Sequence, residues 1–173
     1  MFIKTIGMGL ILASASILGW YIDRLKVFRI EDLEGLRRML HMLRGEVSYA
    51  MTPLPSAIKE IMGKNHTRVN VIWKELLKLI EAKTGENISS LWKKAVTTHL
   101  PQTYLQEEDG EILISFGESL GYLDKEMQKK NIEITLTYIE NKIEELNKEH
   151  EKNGRLYRSL GILGGCLLCI LLY

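Results

Sequence analysis

Residue types that can bind metals or carry out redox chemistry occur in this sequence, but their spacing does not suit either task. The four histidines are scattered along the chain at His41, His66, His99 and His150. They form no H-E-x-x-H pattern. Cys166 and Cys169 have the C-x-x-C spacing, but they lie inside an apolar run and lack the polar, accessible setting that a reactive thiolate needs. We therefore expect no metal site, no redox pair and no cofactor.

A group of acidic residues is the remaining candidate for acid–base chemistry, namely Glu107, Glu108, Asp109 and Glu111. They fall at the first turn of a predicted helix, where acidic side chains stabilise the positive end of the helix dipole. A solvated helix start is therefore favoured over a pair of catalytic carboxylates. The sequence also lacks a glycine-rich loop after a strand that could hold a phosphate. We expect a protein that is not an enzyme.

Charge is confined to the middle of the chain, which at 173 residues has room for one ordinary domain. The sequence has 23 basic and 22 acidic residues, and all of them except Lys4 lie between Asp23 and Arg158. This distribution excludes a uniformly soluble protein. The middle segment is neutral overall, which argues against nucleic-acid binding through a basic face.

The first apolar run, residues 5–22, is long enough to cross a bilayer as a helix. Trp20 and Tyr21 lie at its end, where amphipathic rings prefer the headgroup region. A cleaved signal peptide is the alternative, because Ala13-Ser14-Ala15 has the form of a cleavage site. The apolar run continues past Ala15, which favours an uncleaved membrane anchor over residues 1–22.

The second apolar run covers residues 159–173 and reaches only about 22 Å as a helix, short for a full span. Snorkelling by Arg155 and Arg158 could close the gap, so we predict a second membrane helix. A buried core helix is the alternative, but the run has no polar stripe. Gly161 and Gly165 lie one turn apart and could allow a neighbouring helix to approach closely.

The basic residues that flank the two apolar runs predict the orientation of the chain. They lie on the side of the middle segment, at Arg24, Lys26, Arg29, Lys148, Lys152, Arg155 and Arg158. The opposite ends offer only Lys4 and the terminal amine. The positive-inside rule therefore predicts a cytoplasmic middle domain, with both termini outside.

The spacing of apolar residues predicts an all-α middle domain, residues 23–158. Steps of three and four residues predict a first helix along Leu33, Leu36, Leu40, Leu43, Val47 and Ala50. Thr52 can then serve as the N-cap of the next helix, with Pro53 at its first position. The predicted fold class is an antiparallel bundle of about six helices, flanked by an N-terminal and a C-terminal transmembrane helix.

Glycines and one aspartate mark the expected ends of the later helices. These helices are expected at Leu54–Met62, Val69–Ile80, Ile88–His99, from about Leu105 to Leu120, and from Asp124 onwards. Gly63 is expected to end the second helix and Gly85 to cap the third. Gly121 is expected to stop the fifth helix and Asp124 to cap the sixth. The sixth helix should continue past Gly154 towards the second apolar run.

The first helix carries basic residues that could form a docking face for a partner protein, namely Arg37, Arg38 and Arg44. Acidic residues at Glu31, Glu34 and Glu46 lie on the same helix. Ordinary intrahelical ion pairs are therefore the alternative to a docking face.

Three blocks of the sequence occur in a specific order. The first reads Leu36-Arg37-Arg38-Met39-Leu40 and continues through Leu43, Glu46, Val47, Tyr49, Thr52, Pro53 and Leu54 to Ala57. The second contains Phe116-Gly117, Leu120-Gly121, Asp124 and Gln128, and the third contains Tyr157, Leu160-Gly161 and Leu163-Gly164-Gly165. Together these blocks resemble the bacterial stage III sporulation protein AB family over nearly the whole chain. One departure is Leu123, where family members often have a serine before the aspartate.

The resemblance implies a component of the channel complex that links mother cell and forespore in endospore-forming bacteria. It implies residence in the mother-cell membrane facing the forespore, with a cytoplasmic helical domain similar to those of type II secretion system F and pilus platform proteins. The implied partners are the membrane, the other proteins of the complex and its cytoplasmic ATPase, and copies of the chain could also form a homo-oligomer. The structural or interaction residues are then expected at Arg37, Arg38, Glu46, Thr52, Pro53, Gly121, Asp124, Gln128, Gly161 and Gly165.

Two functions from different classes fit the sequence. The first is a non-catalytic membrane platform that docks the ATPase of the complex and its membrane partners. The alternative is a membrane-anchored helical signalling module unrelated to secretion. Receptors usually place a sensor domain outside, between their membrane helices, whereas here that position is the predicted cytoplasmic domain. The platform is therefore the favoured interpretation.

Overall fold

Six α-helices and one short 3-10 turn make up the regular structure of the described residues. The structure is a computed structural model that describes the backbone of residues 2–49, 53–83, 85–118, 120 and 125–172, and side chains mainly between residues 24 and 152. The elements are α1 (Phe2–Tyr49), α2 (Leu54–Lys64), α3 (Asn70–Glu81), α4 (Ile88–His99), the 3-10 turn (Leu100–Gln102), α5 (Glu107–Glu118) and α6 (Lys125–Leu172). Over these residues no strand is found, and the predicted all-α class is confirmed.

The chain divides into two units. One consists of residues 31–143, and the other combines residues 1–30 with residues 144–173. The long helices α1 and α6 contribute to both units, and α6 continues through Gly154 as predicted. The two apolar runs are therefore the ends of α1 and α6 and not separate helices.

The predicted membrane spans fall within the second of these units, and most of their side chains lie outside the described residues. Among the residues that the structure does describe, no helix is both long and apolar enough to cross a bilayer. The boundaries at residues 22 and 158 stay predictions.

The apolar stripes of the sequence form the core of the 31–143 unit. On α1, the side chains of Leu33, Leu36, Met39, Leu40 and Leu43 are each 1% exposed or less. The later helices add Ile58, Ile61, Ile72, Trp73, Leu76, Leu91, Trp92, Val96, Leu113, Phe116, Ile132, Leu136 and Ile139. Steps of three and four residues place these side chains on one face of each helix, and burying that face drives the packing. The side chains of Val47 and Ala50 lie outside the described residues.

The ends of α2 and α3 differ from the prediction. Gly63 lies inside α2, which continues to Lys64. Helix α3 is followed not by a glycine cap but by Lys83, whose φ of 49° is left-handed. The Lys83 amide donates to the carbonyl of Ile80 at 3.2 Å, the bond that closes a helix C-terminus. Gly85, with φ 78°, serves the following loop instead, because the chain leaves the helix before reaching it.

The starts of α2 and α5 are also shifted. Pro53 has φ −56° and ψ 138°, so it occupies the N-cap position that was predicted for Thr52, and Leu54, not Pro53, is the first helical residue. Its carbonyl accepts the amides of Ser56 and Ala57 at 2.9 and 3.1 Å. Helix α5 begins at Glu107 and not near Leu105.

Helices α3, α4 and α5 pack around an aromatic cluster. The ring of Trp92 meets Trp73 at 4.8 Å and Phe116 at 5.6 Å between centroids, both in edge-on geometry. The indole N–H of Trp92 donates to the carbonyl of Leu113 on α5. This approach depends on Gly117, because a Cβ there would lie 2.6 Å from Trp92 Cγ and closer still to Cδ1. Only glycine at this position leaves room for the indole.

Candidate functional site

The predicted docking face on α1 is partly neutralised within the helix. Arg38 forms an ion pair with Glu34 at 3.6 Å, one turn earlier. Arg44 lies 3.3 Å from the imidazole of His41. The structure therefore gives Arg38 the intrahelical pair that the sequence allowed as an alternative. Arg37 and Glu46 are half-buried on the same helix.

The other predicted site residues are dispersed. Pro53 is exposed at the start of α2, and Gln128 is half-buried near the start of α6. Thr52, Gly121 and Asp124 themselves lie outside the described residues. The same applies to the surroundings of Gly161 and Gly165, whose backbone belongs to α6.

A buried carboxylate that the sequence analysis missed organises one end of the 31–143 unit. Asp32 is 1% exposed and accepts a hydrogen bond from Arg68 Nε at 3.0 Å. Its other oxygen accepts the backbone amide of Tyr104 at 2.8 Å. Glu31 pairs with Arg68 Nη2 at 2.8 Å, and the guanidinium carbon lies 4.8 Å from the centre of the Tyr104 ring. Three segments that are distant in sequence are thereby fixed to one another.

Two carboxylates share one guanidinium in this network. Burial by itself lowers the pKa of Arg68, but hydrogen bonds and charge from Glu31 and Asp32 outweigh it and raise that pKa above its ordinary value. Arg68 remains protonated at every physiological pH, so the network positions the chain and does not transfer protons. The sequence did hold a signal for it, because Asp32 is an acidic residue directly beside the buried position of Leu33.

A second buried carboxylate lies at the start of α5. Asp109 was predicted to belong to a solvated helix start, and this is wrong, since it is 2% exposed. It accepts the backbone amide of Gln106 at 2.8 Å, as a side chain three positions into a helix does in a capping box. Its other oxygen accepts the hydroxyl of Tyr138 at 3.2 Å, which joins α5 to α6. Nearby, Lys142 pairs with Glu108 at 3.1 Å.

The hydroxyl of Tyr138 is held in its protonated form by these surroundings. Burial, the negative charges of Asp109 and Glu108, and the hydrogen bond to Asp109 raise the pKa of Tyr138 to about 12. The phenol therefore stays a hydrogen-bond donor across the physiological range. It ties α6 to α5 and does not act as a base.

An apolar groove opens between the end of α4 and the start of α5, with a volume of about 830 Å³. Its lining consists of Val96, Thr97, Leu100, Pro101, Leu105, Gln106, Glu107, Glu108, Gly110, Glu111 and Ile114. The floor is apolar, and Glu107 and Glu111 on its rim are exposed. Neither forms an ion pair in the part of the chain that the structure describes. Such a surface suits a partner that is apolar and basic.

The groove offers binding groups and not an assembled reaction centre. Its polar members are a threonine hydroxyl, one amide and carboxylates at the mouth. Across the described residues, no group of three or more histidine, cysteine or acidic side chains could hold a metal ion. Within the described residues, the structure is an all-helical scaffold with an apolar groove that has acidic residues on its rim.

Comparison with known proteins places this scaffold in a family. The sequence matches the profile of the family described as stage III sporulation protein AB over residues 4–173. The chain belongs to this family, and the resemblance recognised in the sequence is confirmed.

One relative and one solved structure carry the same name. Stage III sporulation protein AB of Bacillus subtilis (strain 168) is 26% identical over 170 residues, which cover 98% of this chain and 99% of the relative. A solved structure of a stage III sporulation protein AB aligns with a TM-score of 0.66 at 24% identity, over 71% of this chain and 96% of its own. That likeness shows the fold alone. The family and the relative support a role in sporulation, and their names mention no reaction.

Proposed function

We propose that this chain is a non-catalytic platform component of the channel complex between mother cell and forespore. In this proposal the ends of α1 and α6 anchor it in the mother-cell membrane facing the forespore. The 31–143 unit lies in the cytoplasm, where it binds the cytoplasmic ATPase of the complex.

The observation that carries the proposal is the extent of the family match. It runs from residue 4 to residue 173 and so includes both apolar ends together with the helical domain between them. A relative of nearly equal length supports the same organisation. The near-chargeless ends and the basic residues that border them favour a membrane anchor with its domain on the cytoplasmic side.

The basic face of α1 is the surface we assign to the ATPase. Arg37 and Arg38 follow one another in the first family block, and the pair with Glu34 engages only Arg38. Arginine is well suited to bind carboxylates of a partner through paired hydrogen bonds. This assignment leaves the acidic groove, on α4 and α5, free for another role.

Charge reversal tests this docking surface. Arg37→Glu with Arg38→Glu should reduce recovery of the ATPase with the tagged full chain at least tenfold and should lower spore yield. Lys93→Glu with Lys94→Glu is the matched control, because these adjacent basic residues are exposed on α4. Equal recovery of the ATPase with both variants, at equal protein levels, would refute the assignment.

The membrane part of the proposal has its own test. In a chain with Cys166→Ser and Cys169→Ser, a cysteine is placed either at Lys64 or at the N-terminus. The chain is expressed in vegetative cells, where it enters the surface membrane. In protoplasts of these cells an impermeant thiol reagent should label the N-terminal cysteine and not the cysteine at residue 64. Labelling at residue 64 in intact protoplasts would overturn the topology.

A further inference from the structure

Exposed apolar side chains in the 31–143 unit are concentrated on one helix. Among the described residues of this unit, the large apolar side chains that remain exposed are Tyr104, Met127 and Ile134. Tyr104 is covered on one face by the guanidinium of Arg68. Met127 and Ile134, both on α6, are 49% and 57% exposed. They are therefore the apolar surface that the unit itself leaves uncovered.

The spacing of these residues forms an anchor pattern. Met127 and Ile134 are seven residues apart, so they lie on the same face of α6, about 10 Å from one another along the axis. Lys130 is exposed between them and has no ion pair in the described part of the chain. Two apolar anchors separated by seven residues, with a basic residue between, match the way amphipathic helices enter apolar grooves.

The groove between α4 and α5 has the complementary properties. Leu100, Leu105 and Ile114 contribute apolar surface inside it. Glu107 and Glu111 place two carboxylates at its rim, and neither has an ion pair among the residues that the structure describes. Because Met127 and Ile134 remain exposed, the groove does not receive them within the same copy.

We propose that the groove binds the Met127/Ile134 face of α6 from a second copy of this chain. Lys130 of one copy then faces Glu107 and Glu111 of the other, and the two apolar anchors cover the groove floor. The two surfaces are different, so the contact is heterologous, and a linked pair of copies keeps one free groove and one free helix face. Such a contact produces a closed ring or an open row of subunits and not a two-fold dimer.

Paired cysteines test the contact in the full chain, kept in mild detergent and carrying Cys166→Ser and Cys169→Ser. One tagged chain carries Glu111→Cys and a differently tagged chain carries Lys130→Cys. Mixing and mild oxidation should give a disulfide-linked pair of the two tags. Each chain alone should give at least tenfold less. Lys93→Cys on α4 is the control partner and should also give at least tenfold less.

Three results of the crosslinking experiment would overturn the proposal. Equal yield with the Lys93→Cys control would mean that the contact is not specific. Efficient self-linking of the Lys130→Cys chain would indicate a two-fold contact between α6 helices. The absence of any linked pair at protein concentrations up to about 100 µM, with both thiols reactive towards a small maleimide, would show that the surfaces do not meet.

Charge exchange separates binding from folding. Glu111→Lys and Lys130→Glu should each weaken the self-association of the full chain. Sedimentation should show an apparent affinity at least tenfold lower than that of the parent. A chain with both changes restores the opposite charges across the contact and should recover most of the association. Loss of association in the double variant, with helical content and melting temperature like those of the parent, would contradict the proposal.

Discussion

The contact between Gly117 and Trp92 gives the most demanding prediction about the fold. Replacing glycine by alanine inside a helix ordinarily stabilises it by about 1 kcal/mol. At Gly117 the added Cβ would lie 2.6 Å from Trp92 Cγ, and closer still to Cδ1, whereas ordinary carbon contacts begin near 3.4 Å. The obstacle is a rigid ring in the core and cannot rotate out of the way. We therefore expect Gly117→Ala to destabilise the protein.

The size of this destabilisation can be estimated from the contacts that the Trp92 indole would lose. Overpacking of a core costs about 1–3 kcal/mol. Displacing Trp92 also strains its edge-on contacts with Trp73 and Phe116, each worth about 0.5–1.5 kcal/mol. Its buried hydrogen bond to the carbonyl of Leu113 adds about 1 kcal/mol. After subtracting the helix-propensity gain, a net loss of about 2–4 kcal/mol is expected, which lowers the melting temperature by about 10 °C.

Thermal unfolding of the full chain in detergent, followed by near-ultraviolet circular dichroism, measures this loss. Gly45→Ala is the matched control, because a Cβ added at Gly45 in α1 would meet no described atom within 4 Å beyond its chain neighbours and the adjacent backbone of the helix. It should melt at or slightly above the parent. Gly110→Ala should fall between the two, since the atom it meets is the flexible end of Leu100. If Gly117→Ala and Gly45→Ala have the same melting temperature, the close approach of α4 and α5 at this point is refuted.

Three further predictions concern Asp32, Tyr138 and the two cysteines. Asp32→Ala should lower the free energy of unfolding by about 2 kcal/mol, because it leaves the donors on Arg68 and Tyr104 without this acceptor. Replacing the exposed Glu31 by alanine should cost less than about 1 kcal/mol. Equal losses for the two variants in a denaturant titration would contradict this. Unfolded Tyr138 loses its proton near pH 10 and folded Tyr138 near pH 12, so stability should fall as pH rises through this window, and Tyr138→Phe should abolish that component. Cys166→Ser with Cys169→Ser should leave spore yield unchanged, because thiols in an apolar run lack the setting for redox work; a defect at normal protein levels would refute it.

The candidate site was only partly predictable. Arg37 and Arg38 came from the family block, and their helical placement was correct. The groove was not predicted, because its floor combines Leu100 in a 3-10 turn with Ile114 on another helix. The acidic group at residues 107–111 was recognised, but the burial of Asp109 was not. The sequence shows that these acidic residues lie at the start of a helix, but it does not show which other helix packs over them.

The sequence by itself determined the number of helices and the face that each one buries. Steps of three and four apolar residues place Leu33, Leu36 and Leu40 on one side of α1 wherever that helix is packed, because the helical period is a local property of the backbone. Only the tertiary structure decided which faces meet. Glycine is required at position 117 because Trp92 of α4 packs directly against it. Asp32 can be buried because Arg68, 36 residues later in the chain, donates a hydrogen bond to it. Contacts between residues so far apart depend on how the whole chain packs, and no local spacing records them.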